Sequence, residues 1–183
     1  MRTAGFTLLE LMMVVAVSII LITVAIPGMY SFIVSSQRSS SAMEFYTDLS
    51  LARSEAIARN QRVTVCKTAD GTTCLPLATG SWNTGWLIYV NKDGIVDNTE
   101  PDYDLSDPDV NEDVVRYNDG LPAGFTLESE AADDLRRTVS FLASGRAVTA
   151  GAFLLCTNAV GIVDRRIAVE PSGRIEIQEQ DCP

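Results

Sequence analysis

Gly5-Phe6-Thr7-Leu8-Leu9-Glu10 leads directly into Leu11–Ile26, LMMVVAVSIILITVAI. Only Ser18 and Thr23 are polar between Leu11 and Ile26. With Phe6, Leu8 and Leu9 the apolar run reaches about the ~20 residues that carry a helix across a bilayer. Many of its residues are β-branched and Pro27 follows, so a buried strand has a similar composition. Length and the uncharged flank favour a membrane helix. An ordinary secretory signal needs a small-x-small cleavage site after the run. Pro27-Gly28-Met29-Tyr30-Ser31-Phe32 offers no clear one, and the basic start is Arg2 alone. Glu10 is the one charged side chain between Phe6 and Gln37. At the centre of a membrane helix an acid costs about 2.5–3.5 kcal/mol on insertion scales, so it usually marks a function or a partner. An α-amino group is a natural partner. A cut just before Phe6 would place a new cation four residues from Glu10, or beside Glu10 of a neighbouring copy.

The rest of the chain is of another kind. The 183 residues carry 14 bases and 24 acids, a net charge of −10. Arg2 and Glu10 are the only charges before Arg38, so the acidity belongs to Arg38–Pro183. The length gives one domain, or one domain with an appendage. Hydrophobic residues make up 46%, ample for a packed core. There is no histidine, which removes Ser-His-Asp, Cys-His and His-metal mechanisms. Asp133-Asp134 beside Arg136-Arg137 reads as ordinary surface. No acid/base constellation can be named, so neither an enzyme nor a cofactor is expected. The acidic balance also argues against a general nucleic-acid binder, which needs a basic face to displace counterions.

Between Ser31 and Asn60 there is no proline and no glycine. Phe45, Leu49, Ala52 and Ala56 recur at helical spacing, and Ala42 and Tyr46 widen the stripe. Arg38, Asp48, Arg53, Glu55 and Arg59 lie mostly off that face, with Glu55 and Arg59 a favourable i,i+4 pair. One helix over residues 6–60 would span ~82 Å at ~1.5 Å per residue. Its first half, about 8–27, is apolar all round and requires lipid or protein around it. Its second half has one apolar face to lay on a globular domain.

After Asn60 the period changes. Arg62–Cys66, Gly85–Val90, Val114–Tyr117, Phe125–Leu127, Thr138–Leu142, Ala152–Cys156, Arg166–Glu170 and Arg174–Ile177 read as strands. Pro171-Ser172-Gly173 joins the last two as a hairpin whose three-residue loop ends in glycine. One long helix followed by strands predicts an α+β fold, an antiparallel sheet on the helix, with the head at 61–183. Cys66, Cys74, Cys156 and Cys182 allow three pairings, and the sequence alone does not choose. The membrane topology puts all four on the exported, oxidising side, where disulfides form. Local pairing of Cys66 with Cys74, and of Cys156 with Cys182, is the economical reading. No Cys-x₂₋₄-Cys spacing suggests zinc.

Arg2 and Gly5–Glu10, with the apolar run after them, resemble the class III signal of type IV pilins and type II secretion pseudopilins. That resemblance implies a leader at 1–5, cleavage between Gly5 and Phe6 by a prepilin peptidase, and N-methylation of Phe6. It also implies that Glu10 meets the amino terminus of an adjacent subunit, and that Pro27 occupies a helix-kinking position. The head resembles the GspH/FimT group, which includes FimU-type minor pilins. The matching landmarks are Leu51–Ala56, Gly85-Trp86, Phe141 with Ser144-Gly145-Arg146, and Arg165-Arg166-Ile167 leading into Ser172-Gly173-Arg174-Ile175. The resemblance implies a minor pilin of a type IV pilus that primes assembly or caps the fibre, with a GspH-type type II secretion pseudopilin as the alternative. Its partners would be other minor and major pilins, the prepilin peptidase and the inner-membrane assembly platform. The chain would sit in the inner membrane by one pass, head in the periplasm, before entering a pilus or pseudopilus.

Two further sites are weaker. Asn91–Asp113 holds nine acids and one lysine. With Gly94 at position six of a calcium loop, Asn91, Asp93, Asp97 and Glu100 fall at ligand positions, but position one is Tyr89. A Lys92-Asp93-Gly94 turn followed by a solvated acidic loop is the plainer reading. Some FimT-type pilins bind DNA through a C-terminal Gly-Arg-x-Arg. Here the stretch is Gly173-Arg174-Ile175-Glu176, whose acid would repel phosphate, leaving Arg165, Arg166 and Arg174 as a small basic patch. Nucleic acid is not an expected partner.

Overall fold

The computed structural model describes residues 7–76, 81–92, 112–130, 135, 137–159 and 163–182, without the side chains of 24–28. The chain forms two compact units, one up to Gln37 and one from Arg38 onward. Helix α1, Leu8–Arg59, makes up the described part of the first and opens the second. Its start is a Thr-x-x-Glu cap: the Thr7 hydroxyl accepts the Glu10 N–H at 3.2 Å, satisfying one of the helix's free donors. Its end is a Schellman turn. Asn60 takes the left-handed conformation (φ 53°), its N–H reaches the Ile57 carbonyl, and Gln61 N–H bonds the Ala56 carbonyl at 3.2 Å.

In the second unit eight strands follow: β1 Arg62–Lys67, β2 Trp86–Asn91, β3 Val114–Asn118, β4 Phe125–Ser129, β5 Thr138–Phe141, β6 Gly151–Thr157, β7 Arg165–Val169 and β8 Ile175–Glu179. Every strand foreseen from the alternation forms. They divide, however, into two four-stranded antiparallel sheets rather than one, ordered β3-β2-β1-β5 and β4-β6-β7-β8. Alternation tells which face of a strand is apolar, not which strand lies beside it. β2 is buried along its whole length, as its unbroken run Trp86-Leu87-Ile88-Tyr89-Val90 requires.

Phe45 ties helix and sheets together. Its ring meets Trp86 of β2 and Phe153 of β6 edge-on, each at 5.0 Å, and Trp82 at 5.7 Å. All four rings are buried. Edge-to-face pairs add about 0.5–1.5 kcal/mol each beyond area burial. Ala42, Leu49, Ala52 and Ala56 are buried on the same helix, as the stripe predicts.

A second tie is polar. The β7–β8 hairpin turns at Gly173 (φ +79°), closed by Gly173 N–H on the Glu170 carbonyl and Glu170 N–H on the Arg174 carbonyl. The turn after β5 repeats the pattern at Gly145 (φ +77°), with Gly145 N–H on Leu142 and Leu142 N–H on Arg146. Arg53 of α1 bonds both turns, Nε to the Gly145 carbonyl at 2.9 Å and Nη2 to the Ser172 carbonyl at 3.4 Å. A Cβ on Gly173 would come within 1.9 Å of the Gly145 carbonyl oxygen, so the two Ser-Gly-Arg turns stack only with glycine there. Arg53, Ser144-Gly145-Arg146 and Ser172-Gly173-Arg174 thus form one contact between helix and both hairpins.

Cys66 is bonded to Cys74 and Cys156 to Cys182. Between the first pair, Asp70 accepts the N–H groups of Thr72 and Thr73, each at 2.9 Å, and these bonds hold its carboxyl well below the usual range. In the second loop Asp164 accepts Thr157 N–H at 2.9 Å and Cys182 N–H at 3.4 Å, fastening the tail to the end of β6.

Replacing Phe45 by alanine removes three ring contacts from a closed core. The expected loss is about 3–5 kcal/mol, read from urea unfolding of the full chain in detergent micelles by tryptophan fluorescence. Phe32→Ala, at an exposed position, should leave that midpoint in place.

Candidate assembly site

The candidate site is the first unit. From Leu8 to Ile22 the large apolar side chains of α1 are 50–77% exposed, and they point to every side of the helix. Exposed apolar surface on that scale calls for a cover, bilayer or protein. Glu10 sits in the first turn, where an acid also complements the N-terminal end of the helix dipole. The capping by Thr7 is carried in the sequence by the Thr-x-x-Glu spacing. Gly5 and Phe6, the expected cleavage pair, lie outside the described residues, as does the leader. Pro27 falls within α1, but its side chain is outside the description, so its expected kink goes without a geometry. Among the described residues no helix is long and apolar enough to cross a membrane. The described side chains break off after Thr23 and resume at Met29, so the expected span of about 8–27 is described only in part.

The other candidates lie in the second unit. Arg165, Arg166 and Arg174 are gathered at the β7–β8 hairpin, but each meets an acid: Arg165 pairs with Glu179, Arg166 with Glu130 at 2.8 Å, and Arg174 with Glu176. A phosphate would have to displace a carboxylate at every one. Of the calcium-loop residues, Asn91 is buried at the end of β2 opposite Arg62, while Asp93, Asp97 and Glu100 lie outside the described residues. So do Asp133 and Asp134. Among the described residues, Cys156, Asp164 and Cys182 are close enough to share an ion. The two sulfurs are bonded to each other and Asp164 is taken by backbone amides, so no thiolate ligand is present.

Two charged residues of α1 are placed differently from expectation. Arg38 and Asp48, read as lying mostly off the apolar face, are both buried. Helical spacing puts Arg38 in line with the stripe, four residues before Ala42 and seven before Phe45, and Asp48 at its margin, which the sheets also enclose. Arg38 sits among Arg165, Asp164 and Glu179, and its burial lowers its pKa. Asp48, 1% exposed, accepts Trp86 Nε1–H at 2.7 Å and Asn118 Nδ2–H at 3.4 Å, with Arg116 3.2 Å from its other oxygen. Asn118 also donates to Glu44 at 2.7 Å. Burial pushes the Asp48 carboxyl above its usual range, against the opposing pull of Trp86, Arg116 and Asn118.

The sign of the pH effect follows. A carboxyl whose folded pKa is raised favours the folded state while protonated, and that contribution is lost as pH rises through the folded pKa. Asp48→Asn keeps the oxygen for Trp86 and forfeits only a pair with half-exposed Arg116, worth about 0.2–1 kcal/mol. Its stability relative to the unmodified chain should therefore improve steadily from mild acid to neutrality. Asp48→Ala, which strands the Trp86 N–H, should lose about 1–3 kcal/mol. Urea midpoints across that pH range measure both, and a constant offset for Asp48→Asn would refute the assignment.

Comparison with known proteins gives these features a family. The family described as type II transport protein GspH matches residues 41–173. No curated protein matches in sequence. In fold the chain is similar to the type IV minor pilin FimU of Pseudomonas aeruginosa, strain PAO1. One crystal form aligns with TM-score 0.56 and 22% identity over 80% of this chain and 92% of that one. A second crystal form gives 0.52 and 22% over 76% and 91%. The minor pseudopilin EpsH of the Vibrio cholerae type 2 secretion system aligns at 0.48 and 17% over 78% and 97%, too weakly to carry an argument. The family match covers most of the chain, including α1 from Ser41, both disulfide-bearing strands, the Ser144-Gly145-Arg146 turn and its stacking partner Gly173. The chain belongs to the GspH family of type II transport proteins.

Proposed function

We propose that this protein is a minor pilin of a type IV pilus, a structural subunit that primes assembly or caps the fibre. The observation that carries the reading is the stretch Leu8–Ile22, apolar on every face of α1 and exposed throughout. As a monomer the helix is stored in the inner membrane with the head in the periplasm. Prepilin peptidase cuts between Gly5 and Phe6, and Phe6 is methylated. In the fibre, apolar faces of neighbouring pilins replace lipid. Glu10 then sets axial register, because a carboxylate enclosed in such a bundle is costly unless it meets a cation, here the amino terminus of an adjacent subunit. Nothing in this mechanism is catalytic, and it calls on no cofactor. The FimU-like fold supports the pilus.

A second reading is a pseudopilin of type II secretion, favoured by the family's own description as a type II transport protein. The physics is the same and the machine differs. DNA uptake is disfavoured by the carboxylates on Arg165, Arg166 and Arg174.

Glu10→Ala should lower recovery of the protein in sheared fibres at least about tenfold, the scale of one enclosed charge pair. Membrane levels and head folding should be unchanged. Normal incorporation would reject the register role. Deleting the gene separates the machines: lost twitching marks the pilus, lost exoprotein secretion the pseudopilus.

A further inference from the structure

Between the C-terminal part of α1 and β8 lies an open groove of about 530 Å³. Tyr46, Ser50 and Arg53 line it from α1, and Arg174, Ile175 and Glu176 from the hairpin. We propose that this groove receives an extended acidic peptide segment of a partner protein, added along the free edge of β8.

Charge is the first argument. Arg53 is part-buried, and its Nε and Nη2 rest on the carbonyls of Gly145 and Ser172. Among the described residues no carboxylate pairs with it. Its charge meets only carbonyl dipoles, in a chain whose net charge is −10. Arg174, 68% exposed on its side chain, reaches the same groove and is held by Glu176 on the surface, an exchangeable arrangement. A guanidinium with donors to spare takes a carboxylate in preference to a neutral acceptor.

Backbone geometry is the second argument. β8 is the last strand of its sheet. Glu170 N–H bonds the Arg174 carbonyl, so in the β7–β8 register Glu176 and Gln178 turn their backbone groups to Ala168 and Arg166. The alternation of an antiparallel ladder then directs the N–H and C=O of Ile175 and Ile177 to the outer edge. No described residue bonds them. An unpaired edge beside a groove is what an added strand uses, with main-chain bonds for affinity and alternate side chains for specificity. Carboxylates on those alternate side chains would reach Arg53 and Arg174. Nucleic acid fits less well. Phosphate affinity grows with the number of cations engaged, and this groove offers two, Arg53 and Arg174.

The test is fluorescence anisotropy with the full chain in detergent micelles and labelled Asp-Val-Asp-Val-Asp. The acidic peptide should bind saturably and at least about tenfold more tightly than Asn-Val-Asn-Val-Asn, the scale of one hydrogen bond to a charged group. Ser50→Trp, which fills the groove, and Arg174→Glu, which reverses its exposed charge, should each remove at least that factor. Two variants of different kind guard against loss through misfolding, checked by thermal unfolding. Equal affinity for the amide peptide, indifference to both substitutions, or tighter binding of a single-stranded thymidine oligonucleotide would overturn the proposal. No fibre is needed, so failure here leaves the filament reading untouched.

Discussion

One helix must satisfy two different surroundings. Up to Ile22 α1 exposes apolar side chains on every side, and from Arg38 it buries a single face. Everything else in the head serves that face. Phe45 collects a ring from each sheet and a third from the short 3₁₀ turn at Trp82–Thr84, so helix and sheets share a core that neither sheet could build alone. A four-stranded sheet has one face to hide, and two such sheets hiding theirs on one helix stripe make the stripe the common ground of the fold.

The polar contacts follow from that arrangement. Bringing two sheets onto one helix leaves turns and their carbonyls against it, and carbonyls drawn out of water need donors. Arg53 supplies them to the stacked turns at Gly145 and Gly173. Asp48 and Asn118 answer the Trp86 indole and Glu44 in the same way. These bonds hold a helix to sheets by directional contacts, where apolar packing by itself would tolerate sliding or rotation. Buried polar groups that are fully met lend a packing its specificity more than its strength. The disulfides act elsewhere, one closing the Asp70 turn and one fastening the tail, and each loop is internally braced by an aspartate that accepts backbone amides.

The acidic surface and the few arginines belong together. Arg165, Arg166 and Arg174 are individually matched by Glu179, Glu130 and Glu176, so the hairpin that looked basic in sequence is close to neutral in space. Counting cations along a strand misses this, because the neutralising acids come from β8 and from the residue just beyond β4. Formal charge likewise argued for solvent at Arg38 and Asp48, while helical position, in line with the stripe for Arg38 and at its edge for Asp48, put both inside.

The sequence by itself determined the long helix, its end at Asn60, the position of every strand and the glycine turn at 171–173. Each of these is written in local period, capping and turn chemistry, within a few residues of where it acts. The split into two sheets, the meeting of two Ser-Gly-Arg turns at Arg53 and the burial of Asp48 were decided only by tertiary structure. Those depend on β1 finding β5 and β4 finding β6 across long separations, and no local pattern encodes which distant strand closes over a given face.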